Sequence, residues 1–340
     1  MDIYSSYADN IRSAIANDRK SGNVNLSNFS GIAGIRNDFQ KAETRTRLLS
    51  ETQQVKPLSS LQNIVNELGL HPNFNQQLGL HPDFAHLKNT GNIEKHYIHS
   101  MFIDIKGSTH LFKRYEPETV LVITNTIQRA AIHTCMIFDG YIQRLHGDGM
   151  FVYFGGKGQD PAEAAKRCMT AASLFTYFVK NDLKEIFTEQ GIETIFTRIG
   201  IDYGKAADVV WAMAGMAEIS EVTTCSLHTS LAAKMQMHAE SNGVVVGDNI
   251  KMLVPTPFYS PVCSRPGKEN NRYIFTIPEE NFYYTQHDFN WLGHLKSLDY
   301  ISTNPMLGTI NLKRRGQEIN VPRFADNLRP IAVQSKPYLQ

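Results

Sequence analysis

Two apolar runs, each reaching an aspartate beside a glycine turn, constrain this chain more than any other feature. The first is Met101-Phe102-Ile103-Asp104-Ile105-Lys106-Gly107-Ser108-Thr109, which reads as a buried strand entering a tight turn. The second runs from Tyr141 to Phe154 and holds two strands joined by His146-Gly147-Asp148-Gly149, a hairpin signal because Asp-Gly tolerates positive φ. A single Asp beside Gly is ordinarily turn chemistry. Two of them, separated by one long helical pattern, place carboxylates on neighbouring turns. Such carboxylates can share a pair of hard divalent cations, Mn²⁺ or Mg²⁺, the arrangement that phosphoryl chemistry on a nucleoside triphosphate needs.

The pattern around these runs predicts an α+β layout. Glu116-Pro117 opens a helix through Val120, Ile123, Ile127, Ala131 and Cys135 that stops at Gly140, and Ser108 is positioned to cap a helix start. Asp160-Pro161 opens a second long helix, ending near Gly191. Phe196 to Tyr203 and Asp208 to Met213 read as strands, and Ser226 to Ser241 as a helix stopped by Asn242-Gly243. Val244 to Val246 and Tyr273 to Ile277 complete the sheet. The order is βαββαβ with additions, a ferredoxin-like layout.

The chain divides into an extension over 1–92, a core domain over 93–278 and a C-terminal segment over 279–340. The extension is rich in Ser, Asn and Gln, with a polar helix expected over Asp38 to Gln53 and a short amphipathic one over Leu58 to Leu68. It carries a duplication: Leu68-Gly69-Leu70-His71-Pro72-Asn73-Phe74 recurs as Leu78-Gly79-Leu80-His81-Pro82-Asp83-Phe84. Proline breaks any helix in each copy, and two histidines close no zinc site, so the segment reads as a linker or docking piece. Beyond Pro278 the chain reads as irregular and aromatic-rich.

Composition sets the remaining bounds. Lys+Arg 34 against Asp+Glu 33 gives a net charge of +1, so no electrostatic footprint for nucleic acid or an anionic membrane stands out. The basic triplet Lys313-Arg314-Arg315 reads as a solvated face. Cys135, Cys168, Cys225 and Cys263 show no CxxC spacing and read as reduced thiols. With no basic-then-apolar leader and no apolar run of about 18 residues, the expectation is a cytoplasmic protein.

These residues resemble the class III nucleotide cyclase catalytic domain, the adenylate and guanylate cyclase fold, over about Tyr97 to Ile277. The likeness rests on Asp104-Ile105-Lys106-Gly107-Ser108-Thr109, on Gly147-Asp148, and on Arg198-Ile199-Gly200-Ile201-Asp202-Tyr203-Gly204. It implies intramolecular chemistry, in which the ribose 3′-hydroxyl attacks the α-phosphorus and pyrophosphate leaves. Two divalent cations would sit on Asp104, Asp148 and the Ile105 carbonyl. Backbone N–H groups across Gly107, Ser108 and Thr109 would cradle phosphate oxygens, and Arg198 would hold the β- or γ-phosphate.

Base choice in this family rests partly on the residue four before the second metal aspartate, which here is Arg144. Arginine is a donor-only fork. Against guanine it opposes donors with donors, costing about 1–3 kcal/mol, whereas pyrimidines offer O2 with N3 or O4 as acceptors. The reading therefore leans to UTP or CTP, with UTP slightly ahead. The hairpin is also similar to those of the cyclases of bacterial Pycsar anti-phage systems, which implies a cyclic pyrimidine nucleotide acting on a separate effector protein.

The helix that carries Asn-x-x-x-Arg in many family members reads Ser230-Leu231-Ala232-Ala233-Lys234 here. Ser230 would orient the ribose and Lys234 would stabilise charge on the α-phosphate. The second base-reading position falls near Thr223, and Lys268 lies where the family places a phosphate-binding lysine. Since the resemblance divides these groups between two subunits, it implies a homodimer with two composite sites. The competing readings are an adenylate cyclase and a catalytically degenerate domain that senses nucleotides. A diguanylate cyclase is disfavoured, because His146-Gly147-Asp148-Gly149-Met150 lacks the Gly-Gly-Asp/Glu-Glu-Phe hairpin.

Overall fold

A computed structural model describes residues 3–22, 42–51, 53–304 and 310–313. The central sheet is built as the sequence reading expects. β2 (Ile98–Lys106) lies between β5 (Phe196–Gly204) and β4 (Gly149–Phe154), and β3 (Gly140–His146) closes that side. All four strands run antiparallel to their neighbours in the order β5-β2-β4-β3. α4 (Pro117–Ile137) and α5 (Pro161–Tyr177) supply the two crossovers. Asp160 caps α5, its side chain accepting from the Glu163 amide at 2.9 Å. The fold is thus α+β, with a ferredoxin-like βαββαβ core.

Beyond that core the sheet is longer than expected. β8 (Gly243–Gly247) pairs parallel with β5, and β11 (Phe282–Phe289) pairs antiparallel with β8. β10 (Tyr273–Ile277) and β9 (Tyr259–Pro261) both pair with β11, and neither pairs with β8. The aromatic stretch read as irregular is therefore a sheet strand, followed by α9 (Trp291–Ser297) and a small hairpin of β12 (Ile301–Thr303) and β13 (Ile310–Leu312). Its aromatics disguise the alternation: Tyr284 is buried beside β8 while Tyr283 is exposed. Of the basic triplet, Arg314 and Arg315 lie outside the described residues.

A second correction concerns the strand after β5. β6 (Val210–Met216) leaves the central sheet and forms a hairpin with β7 (Ile219–Cys225), with β1 (Ile93–Lys95) on its other edge. β7 lacks the apolar runs that mark strands elsewhere, because only Val222 in it is buried. The third concerns the helix after Pro161, which turns π-helical over Phe178–Leu183 before α6 (Lys184–Glu189).

The N-terminal extension packs on the core. α1 (Ser5–Gly22) lies against α4: Tyr4 Oη is 2.8 Å from Thr134 Oγ1, and Tyr7 Oη is 2.8 Å from His133 Nδ1. Tyr4 also stacks on Phe178 at the π-helical turn, ring centroids 4.4 Å apart. Within the expected polar helix, α2 covers 42–51 and its predicted start lies outside the described residues. α3 (Ser59–Leu68) is amphipathic as expected, burying Leu61, Ile64 and Val65. The duplicated motif has diverged in three dimensions. His71 is exposed, whereas His81 is buried among Phe84, Tyr141 and Trp211.

Two elements remain to frame the site. α7 (Leu227–His238) packs on β5, and α8 (Asp248–Leu253) follows β8. All four cysteines are free, Cys135 and Cys168 in the core. No helix among the described residues is long and apolar enough to cross a membrane.

Candidate active site

Asp104 stands near the end of β2, directly across from Arg198 on β5. Ile103 pairs with Met150 on the other side, so continuing the register by one residue sets Asp104 against Gly149 and beside Asp148. Gly149 makes this approach possible, since an added Cβ would lie 2.8 Å from the Ile103 carbonyl oxygen. The two carboxylates thus lie beside one another at one end of the sheet, Asp104 near the end of β2 and Asp148 on the β3–β4 turn, both half-buried. Each already has a donor. Arg198 Nε donates to Asp104 Oδ2 at 3.0 Å with Nη2 on the same oxygen, and the Ser108 hydroxyl donates to Asp148.

This overturns one local expectation. Ser108 does not cap a helix: the residue before it, Gly107, takes the N-cap position with φ 98°, and the chain then enters a 3₁₀ helix over Ser108–Lys113. The Ser108 hydroxyl spends its donor on Asp148 instead. Gly107, Ser108 and Thr109 nevertheless form the tight turn expected after the strand, with the His110 amide closing on the Gly107 carbonyl at 3.0 Å. Next to Asp148 a cleft of 560 Å³ opens between this turn and α4, with Phe112, Leu121 and Gln128 on its walls. Gln128 steadies the hairpin by donating to the Gly147 carbonyl at 3.0 Å.

Asp104, Asp148 and the Ile105 carbonyl are hard oxygen donors of the kind Mg²⁺ and Mn²⁺ take. The charge balance fits as well, because Arg198 and Ser108 now supply the positive and donor partners that bound cations would supply. Among the described residues no group of three or more His, Cys, Asp or Glu side chains competes with this pair for a metal.

A second group gathers around Arg144. β3 carries a bulge at Gln143, as Ile142 faces Val152 while Arg144 faces Phe151. The bulge turns Gln143 inward, where its Nε2 donates to the Val222 carbonyl at 3.0 Å, and leaves Arg144 exposed. Arg144 is not a lone donor, however. Its Nε donates to Glu221 Oε2 at 3.1 Å and its Nη2 pairs with Oε1. Thr223, the residue expected as second base reader, lies one alternation further along β7, its hydroxyl 3.3 Å from Tyr153 Oη. Glu221 carried no motif in the sequence; only the pairing of β7 with β6 and its approach to the β3 bulge bring it to Arg144. Arg144 and burial both lower the proton affinity of His146, burial first, which favours a neutral ring in the hairpin.

Ser230 and Lys234 form the third group, one turn apart on the exposed face of α7. Ser230 Oγ lies 3.4 Å from the Ser226 carbonyl, and Lys234 Nζ is 5.8 Å from the Phe275 ring centre. Gly200, within the Arg198-Ile199-Gly200 motif, sets α7 in place. A Cβ there would collide with the Ala232 carbonyl and lie 2.9 Å from Gln236 Cα. Behind α7 lies a buried network that sequence reasoning missed. Asp202 accepts from Tyr284 Oη at 2.8 Å and meets His228 Nδ1 at 2.8 Å. Burial raises the Asp202 pKa, offset by these partners. Lys268 is exposed in the turn before β10 and is not drawn into any of the three groups.

The arrangement is that of a class III nucleotide cyclase catalytic domain, with one aspartate near the end of β2, the other on the β3–β4 turn, and an arginine across from the first on β5. The chain's sequence relatives are narrower in kind. It is 35% identical over 239 residues to a cytidylate cyclase of Staphylococcus aureus, covering 68% of this chain and 53% of that protein. It is 29% identical over 269 residues to a cytidylate cyclase of Escherichia coli, covering 76% of this chain and 58% of that one. The chain therefore spans little more than half the length of these relatives. Among solved structures, the adenylyl cyclase CyaB from P. aeruginosa superposes with a TM-score of 0.49 at 16% identity, covering 58% of this chain and 95% of that one. No family model matches the chain.

Proposed function

We propose that this chain is a metal-dependent nucleotide cyclase that converts a pyrimidine nucleoside triphosphate to its 3′,5′-cyclic monophosphate and pyrophosphate. The observation that carries the reading is the placement of Asp104 near the end of β2 beside Asp148 on the β3–β4 turn, with Arg198 directly across on β5. The sequence leaned slightly to UTP; the activity named for the two relatives above favours CTP. The division into 1–92, 93–278 and 279–340 is kept as part of this proposal, with α1 of the first segment packed on α4 and β11 of the last segment entering the central sheet beside β8.

Two divalent cations held by Asp104, Asp148 and the Ile105 carbonyl would acidify the ribose 3′-hydroxyl and neutralise the triphosphate. The chain's own residues do the rest. Arg198, which contacts Asp104 across the sheet, presents its guanidinium fork to the β- or γ-phosphate. The Ser108 hydroxyl and the backbone of Gly107 and Thr109 line the same phosphates. Ser230 orients the ribose, and Lys234 places positive charge where the α-phosphate gains negative charge. Lys268 remains a candidate phosphate ligand in a loop.

Ser230 and Lys234 face solvent, as groups serving a second copy's substrate would. A homodimer with two composite sites accommodates this, with Phe112 and Leu121, exposed beside the Asp148 cleft, as part of its face. By the same reading the cyclic nucleotide is a messenger in anti-phage defence, recognised by an effector protein.

The test is incubation of the purified chain with Mn²⁺ and each of ATP, GTP, CTP and UTP, with products identified by mass. Cyclic CMP or cyclic UMP supports the proposal. Cyclic AMP or cyclic GMP as the main product would overturn the pyrimidine reading, and the absence of product from all four would overturn the catalytic one.

A further inference from the structure

Resting on that reading, we infer that Glu221 is the second base-reading residue and acts with Arg144 as one unit that selects cytosine. Arg144 uses Nε and Nη2 to hold the carboxylate side-on. This fork leaves the Nη1 donors outside the contact, and each carboxylate oxygen keeps a further lone pair. The pair therefore offers donors beside acceptors. Cytosine matches that edge, its N4 amine donating to Glu221 while N3 and O2 accept from Arg144. Uracil does not match it in the same pose, because O4 would meet the carboxylate and N3–H would meet the guanidinium. Turned so that N3–H reaches Glu221, uracil leaves one carbonyl without a donor.

The surrounding backbone is built to hold this pair. Gly79 bridges the two strands that bear it: its amide donates to the Gln143 carbonyl at 3.0 Å, and its carbonyl accepts from the Val222 amide at 2.7 Å. The Gln143 side chain closes the same gap from β3 to β7. Gly79 sits at φ +68°, and an added Cβ would lie 2.8 Å from Glu221 Cβ. The second copy of the duplicated Leu-Gly-Leu-His-Pro motif is thus the clamp that fixes Glu221 against Arg144. With the Arg144 side chain 47% exposed, the ion pair itself contributes little to stability. Guanine could also match an Arg–Glu edge, through O6 to Arg144 and N1–H and N2–H to Glu221. Its exclusion therefore falls to the space around the pair, and GTP belongs in the test.

The experiment measures equilibrium binding and turnover of CTP, UTP and GTP with the full chain, as wild type, Glu221→Gln and Glu221→Ala. Wild type is expected to favour CTP over UTP about tenfold or more. Glu221→Ala is expected to bring that ratio to within about twofold by weakening CTP alone, because an unpaired N4 amine loses its acceptor. An unchanged ratio would overturn the inference, as would equal weakening of CTP and UTP, which would make Glu221 only a prop for Arg144. Tighter binding of GTP than CTP by wild type would overturn it too. CTP-selective binding without any cyclic product would sink the cyclase reading and leave Glu221 as a cytosine reader. Cyclic product with an unmoved ratio would do the reverse.

Discussion

Arg198 lies directly opposite Asp104 on the neighbouring strand and grips its carboxylate through Nε at 3.0 Å. The pairing joins a residue that would bind phosphate to one that would bind metal, within a single side-chain contact. In this structure the guanidinium proposed to hold phosphate is engaged by the carboxylate proposed to hold metal.

Replacing Asp104 or Asp148 with Asn keeps the shape and removes the charge. Turnover is expected to fall at least ~100-fold in either variant, with the thermal transition moved little because both side chains are half-exposed. Product formation near wild-type level with Asp148→Asn would refute the two-cation assignment.

The proposed composite sites make a second outcome checkable by mixing. Asp148→Asn and Lys234→Ala, each inactive alone, are expected to regain about a quarter of wild-type activity when co-expressed. Half of the dimers are then heterodimers, each with one intact site. Ser230→Ala is expected to reduce kcat by about tenfold with little change in metal requirement. A mixture that stays inactive would place all the groups within one subunit.

Gly200→Ala should act on both stability and activity. Its methyl group would strike the Ala232 carbonyl on α7, so the helix must move off β5 and carry Ser230 and Lys234 with it. A loss of about 1–3 kcal/mol in urea unfolding is expected, together with most of the turnover. Unchanged unfolding would show that α7 yields more easily than its packing indicates.

Stability should fall in mild acid. Burial lowers His81 to about 4, and burial with Arg129 nearby lowers His133 to about 3. In the unfolded chain each takes a proton near pH 6.5, so the unfolded state binds more protons below that value. The stability these neutral rings contribute is present above about pH 6.5 and is lost as pH falls toward 4. Asp202, raised by burial, acts in the opposite sense, so the informative quantity is a difference. His81→Phe is expected to flatten the drop in unfolding free energy between pH 7 and pH 5 relative to wild type. An unaltered slope would remove His81 from the account.

Local chemistry made the core of this protein readable. The βαββαβ order, the Asp-Gly hairpin, the proline-led start of α4 and the Asp160-capped start of α5 depend on residues within a few positions of one another, so the sequence alone set them out. The paired aspartates were legible for the same reason, one closely preceding a Gly turn at the end of its strand and the other within the Asp-Gly hairpin. β7 and β11 were not, because Val222 alone is buried in one and aromatics fill both faces of the other. The partners that matter most lie far apart in sequence. Glu221 meets Arg144 across 77 residues and Arg198 meets Asp104 across 94, while Tyr4 reaches Thr134 across 130. Those pairings are decided by strand order, by the bulge at Gln143 and by glycines that let backbones approach. The sequence by itself determined which chemical groups this protein owns, and the tertiary structure decided which of them meet.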